Sequence, residues 1–102
     1  MAYTGQVQCE WDEAKNLANQ EKHGVSFSEA QELFLSDADY LEIFDDYHSD
    51  REERFIAIGP IVRGVVMVVF TERDEDLIRI ISARPATKRE QQMYQRYQEQ
   101  HR

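Results

Sequence analysis

Between residues 40 and 83 the chain carries four short runs of β-branched and aromatic residues: "YLEIF" (40–44), "RFIAIG" (54–59), "VVMVVF" (65–70) and "LIRIISA" (77–83). The links after the second and third, "PIVRG" and "TERDED", are far shorter than a parallel crossover requires. These strands are therefore predicted to form an antiparallel meander closed by hairpins. Near-continuous apolar runs in the last two imply burial on both faces, with helices covering one of them. Together with helices before and after, the pattern is α+β.

The helices have readable ends. A short strand is expected within "QVQCEW" (6–11), followed by Asp12 as cap of "EAKNLANQEKH" and Gly24 at the left-handed exit. On this helix Ala14, Leu17, Ala18 and Glu21 share one face, and Asn16, Asn19, Gln20 and His23 share another. In "SFSEAQELF", Ser26 with Glu29 forms a capping box ahead of the apolar stripe Phe27, Ala30 and Phe34. Two helices are thus expected between residues 13 and 35. Thr87 with Glu90 is a second capping box, opening a last helix that runs to about residue 100. With no repeat, low-complexity tract or linker, residues 1–102 read as one domain.

A content of 41% hydrophobic and 31% charged residues is that of a soluble globular chain. The longest apolar run falls far short of the roughly 20 residues of a membrane helix, and no secretory leader is expected at the start. The single cysteine, Cys9, rules out an internal disulfide framework and a cysteine-built metal site, which fits a reducing cytoplasm. Charge is unevenly placed. Residues 1–78 hold 18 acidic and 6 basic side chains, whereas residues 79–102 hold 2 acidic and 6 basic ones. Only the C-terminal end could attract a polyanion; the acidic remainder suits a basic partner.

Three stretches resemble the BrnT toxin family: "EWDEAKNLANQEKHGVSFSEAQELF", "HSDREERFIAIG" and "VVFTERDEDLIRIISARPATKREQQMY". The resemblance spans about residues 8–97, and its most specific parts are the opening "EWDEAKN…KHGVSF" and the closing "IRIISAR". It implies a RelE-like fold and an endoribonuclease acting as the toxin of a type II toxin–antitoxin pair, inhibiting translation and growth. It also implies a BrnA-like ribbon-helix-helix antitoxin as partner, through which alone operator DNA would be reached. One departure is the crowding of 14 acids against 3 bases in residues 10–53. That leaves a second reading open, a non-catalytic module whose acidic face binds a basic partner.

Cleaving RNA without a metal requires a base for the 2′-hydroxyl, an acid for the leaving oxygen and cations at the phosphoryl oxygens. Arginine suits the last task, being always charged and able to bind phosphate through two parallel hydrogen bonds. Arg54, Arg79 and Arg84 are the candidates, and a meander could bring them together. Lys88 and Arg89 would reinforce the start of the last helix as a phosphate site. The plainer alternative pairs Arg79 and Arg84 with Glu90 and Asp74 or Asp76. For acid and base the candidates are Glu53, His23, His48, Glu90 and Tyr94. His23 could equally serve as a favourable charge at a helix end, Glu90 as cap or as orienter of an arginine, and Tyr94 as half core. His48 in "DDYHSD" reads as solvated, so neither metal nor cofactor is expected.

Overall fold

The computed structural model describes residues 7–48 and 52–101. Its elements run β1 (Gln8–Glu10), α1 (Glu13–His23), α2 (Phe27–Ala30), α3 (Glu32–Leu35), β2 (Leu41–Phe44), a 3-10 turn (Asp46–His48), β3 (Phe55–Ile61), β4 (Gly64–Asp74), β5 (Leu77–Pro85) and α4 (Lys88–Gln100). The expected α+β order and the antiparallel meander β2 to β5 are present. The short first strand joins it parallel to β5, giving a mixed sheet in the order β1-β5-β4-β3-β2.

Local chemistry sets the ends. Asp12 Oδ1 accepts from the backbone N–H of Ala14 and Lys15, and Gly24 leaves α1 at φ 74°. Both capping boxes close as expected, Ser26 with Glu29 and Thr87 with Glu90. The second helix is less regular than its pattern suggests. It breaks at Gln31 into two single turns, α2 and α3, which still bury Phe27, Ala30, Leu33 and Phe34.

Two strands outrun their apolar signal. β3 continues through Pro60 to Ile61, so the hairpin turn is only Val62–Arg63, followed by Gly64 at φ 136°. Pro60 is tolerated because β2 pairs only with Phe55 to Ile58, leaving no neighbour to miss its absent N–H. β4 continues past Phe70 to Asp74, with a register shift between Glu72 and Asp74. Gly59 permits a close approach: a Cβ there would stand 2.7 Å from Leu33 Cδ1 and 2.8 Å from Tyr40 Cβ.

Of the two faces of α1, the polar one turns inward. Asn16 and Asn19 are buried, whereas Leu17 is 61% exposed. The reason lies in β5. Its outer edge pairs with β1 only from Leu77 to Arg79, so on that edge the backbone at Ala83, paired on the other side with Val68 of β4, has no strand beside it among the described residues. Asn19 fills that role: its Oδ1 accepts from Ala83 N at 3.1 Å, and its Nδ2 donates to Ala83 O at 2.8 Å and to Val25 O at 2.9 Å. Asn16 Oδ1 accepts from Phe27 N at 2.8 Å and fixes the start of α2. Buried backbone groups must find partners, and here two amide side chains supply them.

The sheet thus has two unequal faces. Val66, Val68, Phe70, Ile78 and Ile80 pack under α2 and α3 in the main core. The opposite face is covered only in part, where Ala86, just before α4, and Tyr94 on α4 pack with Ile58, Val65 and Met67.

Candidate functional site

The uncovered remainder of that second face is a shallow groove of about 350 Å³. Ile56, Met67, Val69, Ile81 and Ser82 form its floor, with Asp45, Tyr47 and Arg54 around them. Strand alternation decides which side chains reach it. On β5, Ile78, Ile80 and Ala83 point into the main core, so Arg79 and Arg84 point to the open side. A register shift beside Phe70, opposite which Ile80 and not Ile81 sits, keeps both arginines on that side although their numbers differ by an odd count.

The register places these cations at the two ends of the groove. Arg79 pairs across with Thr71, and Phe55 with Phe70, so Arg54, one residue before β3, stands next in the Thr71 row. Arg84 pairs across with Met67, at the α4 end. Five strand positions separate Arg79 from Arg84, roughly 15 Å. Arg54 and Arg79 therefore share one row across the sheet, on either side of Thr71, whereas Arg84 lies apart, so the three do not converge as expected.

Each β5 arginine is held by one carboxylate. Arg84 Nη1 and Nη2 donate to Glu90 Oε1 and Oε2, both at 2.8 Å, and Nη1 also to Pro85 O at 3.2 Å. Glu90 meanwhile accepts from Thr87 N at 2.8 Å, so one carboxylate both caps α4 and grips the arginine. The Arg84 hydrogen bond drives the Glu90 carboxyl below its usual value, and Glu90 in turn raises the guanidinium above its own. Three of the five guanidinium donors are engaged. Among the described residues the Nε–H and the second Nη2–H, the fork that receives a phosphate side-on, are not. Arg79 donates from Nη1 to Glu10 Oε2 at 2.8 Å, not to Asp74 or Asp76. Arg54 lies 3.6 Å from Glu52 Oε1.

The model of the family described as "Ribonuclease toxin, BrnT, of type II toxin-antitoxin system" matches residues 11–90. The chain belongs to the BrnT family. A solved structure titled as the Brucella abortus ribonuclease toxin BrnT is similar to it, with 29% sequence identity and a TM-score of 0.60. That match covers 81% of this chain and 100% of the other. Comparison with curated proteins gives no match. The region matched by the BrnT family begins at Trp11 and ends at Glu90, so it contains the three arginines and the carboxylate that holds Arg84.

The remaining candidates are dispersed. Glu53 lines a separate hollow with Phe55, Thr71 and Arg73, and its carbonyl accepts from Thr71 Oγ1 at 2.7 Å. Tyr94 is 6% exposed and donates its hydroxyl to Asp39 O at 2.9 Å, tying α4 to the approach to β2. His23 ends α1, and among the described residues no hydrogen bond or ion pair joins it to the arginines. His48 closes the 3-10 turn, and its side chain lies outside the described residues. Lys88 and Arg89 are exposed in the first turn of α4, where Glu90 already occupies the helix start. Arg89 lies instead beside Gln92, Met93 and Arg96. Sequence reasoning passed over Tyr47, 90% exposed beside the groove, and Ser82 in its floor. Ser82 had a signal, a hydroxyl within an apolar strand; Tyr47 was hidden in an acidic loop.

Proposed function

We propose that this protein is a metal-independent endoribonuclease toxin that cleaves RNA on the open face of its sheet. The observation carrying this reading is Arg84: gripped end-on by Glu90, it faces the open side with its side fork unengaged among the described residues. A guanidinium fixed beforehand by a carboxylate reorganises little when phosphoryl charge develops. Glu90 is here a positioning group. Its lowered pKa keeps it ionised, which suits holding an arginine better than donating a proton. Arg79 and Arg54, at the other end of the groove, bind a second phosphate, and the strand between lays a base on the apolar floor. Tyr47 adds an aromatic surface for stacking.

In the reaction the 2′-hydroxyl attacks the adjacent phosphorus, and the bond to the 5′-oxygen breaks, leaving a 2′,3′-cyclic phosphate and a 5′-hydroxyl. Cleavage of cellular RNA arrests translation and growth, and a BrnA-type ribbon-helix-helix antitoxin neutralises it by binding the acidic 10–53 region. The test is purified protein with RNA, with and without a chelator, and analysis of the new ends. Cyclic phosphates formed at equal rates in both support the reading. Intact RNA from a protein that still binds its antitoxin would make it an interaction module, and dependence on a divalent ion would remove metal independence.

A further inference from the structure

Asn19 is a buried amide on the helix layer, on the other side of β5 from the open face, and the functional reading above does not use it. It is 8% exposed and makes three hydrogen bonds. Two go to a single residue, Ala83, which it meets as a neighbouring strand would, accepting from its N–H and donating to its C=O. The third goes to Val25 O, just past the Gly24 exit of α1.

The position of that clamp gives it a consequence. Ala83 immediately precedes Arg84, and the Ala83 carbonyl belongs to the peptide unit that supplies the Arg84 nitrogen. On one side Arg84 is registered against Met67 of β4; on the other, pairing with β1 has ended five residues earlier, at Arg79 opposite Glu10. At the guanidinium end Glu90 fixes the side chain. Asn19 therefore fixes the backbone from which that side chain projects, at the edge where the sheet itself no longer does so.

We infer that Asn19 is a positioning residue for Arg84, setting the height and tilt of the β5 end so that the Arg84 side fork meets the scissile phosphate. This rests on the proposal that Arg84 serves phosphate. Asn19 touches no substrate and acts only through β5. A displacement of about 1 Å at a reacting group can cost about 10²-fold in rate, so losing the clamp should lower kcat by about 10- to 100-fold with KM little changed.

The test is a double-mutant cycle on RNA cleavage with Asn19→Ala, Arg84→Ala and the pair, using folded protein well below each melting temperature. Asn19→Ser, which keeps a small hydrogen-bonding group, stands in if Asn19→Ala does not fold. Support is a kcat loss in the Asn19 variant that disappears in the Arg84→Ala background, because a residue acting through Arg84 has nothing left to position. Losses that multiply in the double variant would make Asn19 a general structural residue and overturn the inference. So would a folded Asn19 variant cutting at the wild-type rate while Arg84→Ala is inactive. Full activity in Arg84→Ala itself would instead remove the reading beneath it, and the inference with it.

Discussion

At the scale of single residues, the pair Arg84–Glu90 joins stability to function. The Arg84 side chain is 30% exposed and that of Glu90 19%, so the pair is worth about 1 kcal/mol. Glu90 is also a depressed carboxyl, held down first by Arg84. Such a group stabilises the fold above its unfolded value of about 4.3 and loses that contribution as pH falls through its folded value. Melting temperature followed from pH 7 to pH 3 should therefore fall less steeply for Glu90→Gln than for wild type, starting from a lower value at pH 7. Equal slopes would mean that the pair adds nothing. Gly59 offers a purely steric prediction. Because a Cβ would press on Leu33 and on the Tyr40 backbone side, Gly59→Ala should lower stability by about 1–3 kcal/mol in denaturant unfolding.

Among the elements, α1 inverts the usual expectation. Leu17→Ser, on its outer face, should change stability by less than about 0.5 kcal/mol. Asn16→Ala, which strands the Phe27 N–H at the start of α2, should cost about 1–3 kcal/mol. Chemical unfolding of the two variants decides it, and a larger loss for Leu17→Ser would contradict the packing described. This is also where the sequence was hardest to read. Two faces were visible on α1, but which turned inward depended on β1 ending opposite Arg79 and leaving the outer edge of Ala83 without a strand, a long-range fact with no local signal. The caps Asp12, Ser26 and Thr87 were legible because their partners lie within three residues. Gln31 broke the second helix without a glycine or proline to announce it.

Across the whole molecule, the chemistry of arginine on an otherwise apolar strand was enough to name Arg79 and Arg84 as candidates, and Pro85 and Thr87 marked the corner correctly. It could not show that Arg84 sits a groove's length from Arg79, or that Glu10, distant in sequence, takes the place expected of Asp74 or Asp76. The same two-ended charge governs association. Binding of a basic antitoxin to the acidic region should slow as salt rises from low to physiological concentration, and flat association kinetics would count against that surface.

The central claim is that a pre-held arginine on the open sheet face serves the phosphate. Its most direct test is single-turnover cleavage of an RNA oligonucleotide in chelator by wild type and Arg84→Ala, with melting temperatures measured alongside. The account predicts a rate loss of roughly 10²-fold or more in the variant, with a melting temperature lowered by no more than about 4–8 °C. Wild-type cleavage by a folded Arg84→Ala protein would contradict it.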